Sequence, residues 1–318
     1  MIVENVGTDH VILAKLINPR GNSLFNTNQP LDSKLITYPD FGVYTLLFPN
    51  TPSLSFRTGR YKMRLAGFGD KRKVHVKVLV KSGETPSAAI MDLNLHFVAL
   101  GDISKSTAPD DDDFQEILSK AEEIFQQQGI RFGRVRYFDV NEPKFTHIDT
   151  IDGPDSEYNK LLGKSAIHEQ SDNSINFFFV RDISGGDQDA GYTIMGMAAS
   201  IPGPPTIQGT IKSDVVVSLV DGWRQNYYKD VIVGVIAHEG GHFLGLFHTT
   251  EADGSLFDPL PDTKECPASN DANGDGYMSN DECAGKGGDN LMFWLASPQQ
   301  RKLTDDQGFV LKRNPFLH

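Results

Sequence analysis

One short stretch of the sequence holds the residues whose types and spacing could do chemistry. His238 and His242 lie four positions apart, so on a helix their imidazoles share one face and can bind one metal ion. Glu239 lies beside them, where it can act as a general base. Gly245 is predicted to end the helix in a left-handed conformation, which brings His248 round as a third ligand. Three neutral imidazoles and an open fourth position are typical of a catalytic zinc site.

The residues before this motif must form the helix that positions the ligands. The run 227–236 is apolar on nearly every side, which predicts a helix buried inside a domain rather than one lying on its surface. The alternative is that the three histidines are ordinary helix-face or core side chains. That alternative leaves their spacing, the glycine and the apolar run unexplained, so the pattern favours the metal site.

The five fixed residues match the HExxHxxGxxH signature, and in this respect the chain resembles the metzincin metalloproteases. The resemblance implies an α+β zincin-like catalytic domain, in which a mixed β-sheet lies on the active-site helix. It also implies a zinc endopeptidase in which Glu239 takes the proton of a zinc-activated water and passes it to the leaving amine. In that fold an edge strand binds the substrate as an extra strand. By position, that strand is expected at Gly196, Met197 and Ala198.

Length and charge limit the remaining classes of protein. A chain of 318 residues is longer than one typical domain, so two domains are expected. The net charge of −12 disfavours nucleic acid and anionic lipid surfaces as partners. Apolar runs stay shorter than the roughly 18 residues that a membrane span requires, so no membrane span is expected. A protein or peptide substrate is the expected partner, and the oligomeric state stays open.

The two cysteines, Cys266 and Cys283, both follow the histidine motif. An even pair in a loop-rich region indicates a disulfide formed in an oxidising compartment, with two free thiols as the alternative. The first residues lack the basic and then apolar layout of a signal peptide, which fits an intracellular protein or a chain without its export signal. The cysteines favour the second, which predicts a secreted, periplasmic or cell-surface protein.

Residues 1–82 are predicted to form an all-β sandwich domain, joined by a linker at 83–87 to the metalloprotease domain at 88–318. The strand-forming segments of the first part lie between turn-forming residues and show no helical period. They are 10–16, 43–48, 61–65 and 74–80. This part resembles the prepeptidase-type sandwich domains of secreted bacterial proteases, which implies a role in folding, secretion or substrate attachment. A β-rich pro-segment or a structural appendage is the alternative.

A calcium loop is expected between the two cysteines. Residues 271–282 match the twelve-residue calcium-binding loop, with Gly276 at the sharp turn. The expected ligands are Asp271, Asn273, Asp275, Tyr277, Ser279 and Glu282. The flanking segments are not amphipathic helices, so an isolated structural calcium site is predicted. An acidic loop that binds no calcium is the alternative.

The part of the chain after the histidine motif resembles the pappalysin branch of the metzincins. The resemblance rests on His248-Thr249, segment 258–263, the two cysteines, segment 289–292 and segment 303–307. It implies a secreted, calcium-dependent zinc endopeptidase, with Met292 in the tight turn beneath the zinc. Phe293 and Trp294 follow where many metzincins carry a tyrosine near the zinc, which departs from the pattern.

Two alternatives to a general endopeptidase stay open. One is a peptidase of narrow specificity, which trims small peptides or its own linker. The other is a non-catalytic adhesion or binding protein that retains the zincin scaffold, and the presence of Glu239 disfavours it.

Overall fold

The computed structural model of the chain describes residues 1–5, 11–26, 35–37, 43–67, 74–153, 155–165, 174–184, 193–204 and 214–318. Within these ranges the chain forms four β-sheets and four α-helices. The fold therefore mixes α and β structure, as expected. Its largest sheet shares one hydrophobic core with the helix that carries the histidine motif.

The N-terminal part contains two small antiparallel sheets. Its strands are β1 (Ile2–Asn5), β2 (Val11–Ile17), β3 (Ser23–Asn26), β4 (Val43–Thr45), β5 (Lys62–Gly67) and β6 (Val74–Lys77). Strand β1 lies between β4 and β6, and β2 lies between β3 and β5. Residues from both sheets, among them Leu13 and Tyr44, form one common core.

Strands β2, β4, β5 and β6 lie where the sequence predicts them, although their ends differ, whereas β1 and β3 are not among the predicted strands. The predicted strand 74–80 ends at Lys77, and the predicted strand 43–48 ends at Thr45. Residue 10, the predicted start of β2, lies outside the described residues. The assignment of residues 1–82 to a sandwich domain, and the linker at 83–87, stay predictions.

The N-terminal part contacts the rest of the chain close to the histidine motif. The Thr45 hydroxyl donates a hydrogen bond to the carbonyl of Pro202 at 2.6 Å. Leu47 packs against Gly245, where an added Cβ would lie 2.8 Å from Leu47 Cδ2. Lys81 Nζ lies within 2.8–3.2 Å of three carbonyl oxygens near the C-terminus, those of Lys312, Asn314 and Leu317. The first part of the chain is therefore bonded to the second both near the end of the histidine helix and near the C-terminus.

The second part contains the largest sheet and the helices. Its strands are β7 (Ala89–Val98), β8 (Ile130–Val140), β9 (His147–Ile148), β10 (Ser174–Val180), β11 (Asp182–Ile183), β12 (Gly196–Ala198) and β13 (Val215–Ser218). Its helices are α1 (Asp112–Gln126), α2 (Glu157–Leu162), α3 (Asn226–Leu244) and α4 (Asp305–Arg313). The five-stranded sheet has the order β12-β13-β10-β7-β8, and β9 and β11 pair separately. All neighbours in the large sheet are parallel except β12, which is antiparallel to β13.

The central strands of this sheet are buried on both faces, in agreement with their apolar sequences. In β10, Phe177 and Phe179 belong to the core between the sheet and helices α1 and α3, whereas Phe178 belongs to a second core on the opposite face. Strand β13 is buried along its whole length. The sheet therefore gives α3 a rigid surface to pack on.

Helix α1 fixes the start of α3 through charge pairs. Asp111 caps α1 and lies 2.8 Å from Arg224, which precedes α3. Lys229, in the first turns of α3, lies 2.9 Å from Asp113 and 2.6 Å from Glu116. The acidic residues at the start of α1 are thus engaged in helix capping and ion pairs.

Two of the helices are not expected from the sequence. Helix α2 has only six residues, too few to show a period. Helix α4 follows the loop-rich region that contains the two cysteines, and Thr304 and Gln307 form a capping box that marks its start. Among the described residues, no helix is both long and apolar enough to cross a membrane.

Candidate metal centre

Helix α3 presents His238 and His242 on one face, and the chain turns back just after it. Gly245 ends the helix with φ 112° and ψ 13°, and its amide donates to the carbonyls of Gly241 and His242. The turn brings His248 against the two helix histidines. Its Nε2 atom lies 3.2 Å from Nε2 of His238 and 3.0 Å from Nε2 of His242. Across the described ranges, only these three place His, Cys, Asp or Glu ligand atoms within 4.8 Å of one another.

The other nitrogen of each imidazole, Nδ1, is bound to an oxygen 2.7–2.8 Å away. The three acceptors are Leu291 O for His238, Leu246 O for His242 and Glu251 Oε2 for His248. A carbonyl oxygen can only accept, so Nδ1 carries the proton in both helix histidines, and a carboxylate favours the same tautomer in His248. The three Nε2 lone pairs therefore face one another, an arrangement that a cation stabilises.

Electrostatics keep the two helix imidazoles in the form that binds metal. Burial, together with the neighbouring His248, lowers the pKa of His238 to about 3. Burial lowers the pKa of His242 in the same direction. Both rings are therefore neutral near pH 7, and three imidazole nitrogens are a donor set that fits zinc.

A turn below the histidines holds two of them in place. The Leu291 carbonyl accepts a hydrogen bond from His238 Nδ1, and the carbonyl of the next residue, Met292, accepts one from the Thr249 amide at 2.9 Å. Met292 is fully buried, and a Cβ at Gly241 would lie 2.8 Å from its sulfur. The methionine thus lies directly beneath the helix that carries the ligands.

Glu239 is buried next to the histidines and contacts the edge strand β12. It is 7% exposed, and burial raises the pKa of its carboxyl to about 8, while a hydrogen bond from the Ala198 amide lowers it in part. An added Cβ at Gly196 would lie 2.7 Å from Glu239 Cγ and 2.6 Å from Val235 Cγ1. The strand reaches the carboxylate only because Gly196 has no side chain.

Strand β12 lies at the edge of the large sheet, beside Glu239. The Met195 carbonyl and the Ala199 amide bond to the neighbouring chain at Ser218 and Asp214. Since backbone groups alternate in direction along a strand, the amides and carbonyls of Gly196 and Ala198 point to the outer edge. Met197, between them, is half-buried and packs against the core on the far face of the sheet.

The predicted calcium loop is closed by its own hydrogen bonds. Glu282 accepts from the amides of Ala272 and Ser279 at 2.8 and 3.0 Å, and the Ser279 hydroxyl lowers the pKa of its carboxyl to about 2. Asp271 accepts from the amides of Gly274 and Gly276 at 2.7 and 2.9 Å. No three carboxylate side chains of the loop place oxygen atoms within 4.8 Å of one another.

Cys266 and Cys283 form a disulfide, which confirms the predicted pair. Both are fully buried and pack with Met278 and Phe293. Trp294 Nε1 donates to the Met278 carbonyl at 2.6 Å. The acidic loop is therefore attached directly to the segment that follows the turn beneath the histidines.

Sequence reasoning missed the residues that orient the three histidines. Two of the acceptors are backbone carbonyls, which any residue type offers, so no sequence signal could have marked Leu246 or Leu291. Glu251 lies three positions after His248, and a carboxylate so close to a metal ligand is the one signal that could have indicated it.

No protein-family model matches the sequence, and no curated protein matches it. Among solved structures, mature mirolysin of Tannerella forsythia in complex with a cleaved peptide is 17% identical, with a TM-score of 0.44; the match covers 71% of this chain and 91% of that one. Metalloproteinase-II from Bacteroides fragilis is 13% identical, with a TM-score of 0.37, and the match covers 73% of this chain and 54% of that one. Likenesses this distant assign no function, so the function is inferred from this chain's own site.

Proposed function

We propose that this protein is a zinc-dependent endopeptidase of the metzincin type, with His238, His242 and His248 as the zinc ligands and Glu239 as the general base. The observation that carries the proposal is the convergence of three Nε2 lone pairs beside a buried carboxylate. A structural zinc site has four protein ligands, whereas this one has three, which leaves a position for water or substrate.

In the proposed mechanism, the residues around the site have different roles in peptide hydrolysis. A zinc ion held by His238, His242 and His248 would act as a Lewis acid, which would polarise a carbonyl and acidify bound water. In its ionised form, which a cation bound by the histidines would favour, Glu239 accepts the proton of the attacking water and transfers it to the nitrogen of the leaving amine. Because Glu239 is buried, bulk water does not reach its carboxylate, so the proton is not lost to solvent before it is transferred to the amine. The Nδ1 acceptors of the histidines hold the three imidazoles in the tautomer that leaves Nε2 free.

The substrate in this proposal is an extended peptide that adds to the outer edge of β12. The outward amide of Gly196 and the outward carbonyls of Gly196 and Ala198 provide backbone hydrogen bonds, which do not depend on the substrate sequence. The Ala198 amide is bonded to Glu239 instead. A peptide bound there passes the Glu239 carboxylate, because Gly196 lies against that side chain. Unfolded proteins are therefore the expected substrates in a first assay.

The test compares the wild type with Glu239→Gln and His242→Ala, measuring bound zinc and the cleavage of a denatured protein. We expect one zinc per chain in the wild type and in Glu239→Gln, whose rate falls by about 10²–10⁴ because only the base is lost. His242→Ala should lose both zinc and activity. A wild type that holds zinc but cuts only short peptides would indicate the narrow-specificity peptidase. A wild type that holds zinc and cuts nothing would indicate the binding protein.

The proposal also includes a calcium site in the loop 271–282. Its support is the match of residue types and the conformation of the turn, where Gly274 and Gly276 have φ of 73° and 84°. The ligands are Asp271, Asn273, Asp275, Tyr277, Ser279 and Glu282. Calcium would replace some of the internal hydrogen bonds and stiffen the segment between the cysteines.

Terbium binding tests the calcium site, because the tyrosine of the loop can transfer excitation to a bound lanthanide. The Tyr277 ring lies 6.1 Å from that of Trp294. We expect sensitised terbium emission that calcium displaces, and a loss of this emission in Asp271→Asn. The control is Asp253→Asn, which changes a carboxylate outside the loop. Equal emission from the wild type and Asp271→Asn would place the lanthanide elsewhere.

Three further assignments belong to the proposal. Secretion or cell-surface location is supported by the disulfide, because such bonds persist in oxidising compartments. The pappalysin branch is supported by the sequence segments after His248. The accessory sandwich domain is supported by the two antiparallel sheets of the N-terminal part.

A further inference from the structure

The third histidine is held differently from the other two. His238 and His242 lie on α3 and donate to backbone carbonyls, whereas His248 lies beyond the helix and donates to a side chain. That side chain is Glu251, whose Oε2 lies 2.8 Å from His248 Nδ1. A glutamate side chain has rotatable bonds that a backbone carbonyl lacks, so its position depends on how its backbone is held.

The backbone of Glu251 is held in a closed turn. Its amide donates to the Leu256 carbonyl at 3.0 Å, and its carbonyl accepts from the Gly254 amide at 2.9 Å. Gly254 has φ +66°, and an added Cβ there would lie 2.5 Å from the amide nitrogen of Ala268. The turn is therefore packed tightly against the start of the disulfide-closed segment.

That segment donates hydrogen bonds to every second residue of the turn. The donors are the amides of Cys266, Met278 and Ala268, and the acceptors are Thr250 Oγ1, Ala252 O and Gly254 O, at 3.0, 2.8 and 3.1 Å. Two of the bonds come from residues just before the acidic loop and one comes from within it, and the disulfide joins the two ends of the segment. Glu251 lies between two of the acceptors, so the disulfide-closed segment determines where its carboxylate can lie.

We propose that Glu251 is a positioning residue for the metal ligand His248, and that the segment closed by Cys266 and Cys283 holds it in place. The proposal rests on the proposed zinc site. A carboxylate bonded to Nδ1 fixes the orientation of the ring and makes Nε2 a stronger donor, and loss of such a partner lowers metal affinity about 10–100-fold. The charge of Glu251 also offsets part of the charge of a divalent cation bound by three neutral rings.

Zinc affinity tests the positioning role without any activity measurement. The zinc dissociation constant is measured by competition with a chelator for the wild type, Glu251→Ala, Glu251→Gln and the control Glu265→Gln, which neutralises an exposed carboxylate of the same region. We expect the constant to rise about 10–100-fold in Glu251→Ala, less in Glu251→Gln, and not in the control. The absorption bands of bound cobalt should shift in Glu251→Ala, because the His248 ring is no longer oriented.

The role of the segment is tested by a double-mutant cycle with Cys266→Ser/Cys283→Ser. If the disulfide acts through Glu251, its removal weakens zinc binding in the wild-type background and has no further effect in the Glu251→Ala background. Additive effects would overturn this part of the proposal. If Glu251→Ala binds zinc as tightly as the wild type does, the proposed role of Glu251 is overturned. If Glu251→Ala does not fold, Glu251→Gln keeps the side-chain shape and replaces it in the same comparison. A wild type that binds no zinc would instead refute the zinc site itself.

Discussion

The sulfur of Met292 lies directly against Gly241 of helix α3, where an added Cβ would be 2.8 Å from it. Both residues are buried, and Gly241 lies between the two helix histidines in the sequence. The helix can approach the methionine this closely only because position 241 has no side chain. The contact therefore sets the distance between the two histidines of α3 and the turn that contains Met292.

Gly241→Ala should therefore destabilise the protein. Overpacking a tight contact costs about 1–3 kcal/mol, which exceeds the roughly 1 kcal/mol that alanine gains over glycine in a helix. Urea unfolding of the metal-free protein measures the change. Gly234→Ala is the matched control on the same helix, since its Cβ would lie 3.6 Å from the nearest atom, and it should stabilise. Equal effects of the two substitutions would contradict the tight contact.

Gly196→Ala should reduce activity while zinc stays bound. The new Cβ would collide with Val235 Cγ1 at 2.6 Å and with Glu239 Cγ at 2.7 Å, so the strand and the base must move apart. Displacement of a catalytic group by about 1 Å can cost on the order of 10² in rate. The measurement is kcat/KM on a denatured protein together with zinc content. Gly101→Ala, which has open space around its Cβ, serves as the control, and full activity in Gly196→Ala would refute the contact.

Asp258 should make stability fall as pH rises. Burial raises the pKa of its carboxyl from 3.8 to about 7, while hydrogen bonds from Thr263 and Leu260 to the same oxygen lower it in part. Between these values the folded protein holds a proton that the unfolded chain releases, so folding loses up to about 1.4 kcal/mol per pH unit. Below the lower value both states are protonated, and the effect ends.

Urea unfolding of the wild type and Asp258→Asn between pH 4 and 8 measures this slope. The asparagine keeps the acceptor oxygen but does not titrate, so the difference in stability between the two proteins should change across the window and level off above pH 7. A difference that is constant with pH would show that Asp258 does not hold a proton in the folded protein.

Loss of the disulfide should lower stability by about 3 kcal/mol, the value expected when a bond closes a loop of this size. The two cysteines are separated by 17 positions, so the bond restricts the unfolded chain over a short loop. Thermal unfolding of Cys266→Ser/Cys283→Ser, compared with the oxidised wild type, measures the loss. The wild type under reducing conditions should unfold at the temperature of the double variant, and a midpoint unchanged by reduction would contradict the prediction.

The sequence by itself determined the parts of the site that depend on local spacing. His238, Glu239 and His242 share a helix, so their relative placement follows from its period alone. The turn at Gly245 follows from the backbone freedom of glycine. The position of helix α3 was predicted for the same reason, since residue type and periodicity within a short window decide it. The disulfide was predicted from the presence of an even pair of cysteines.

Only the tertiary structure decided how those groups are held. His238 donates a hydrogen bond to a backbone carbonyl 53 positions away. Every residue type has such a carbonyl, so the sequence cannot indicate which one accepts the bond. The contacts of Met292 with Gly241, of Gly196 with Glu239 and of the disulfide segment with Glu251 join parts of the chain that meet only when the sheet, the helix and the loops pack together. Side-chain orientation, burial and pKa arise from that packing, because each depends on neighbours that are remote in the sequence.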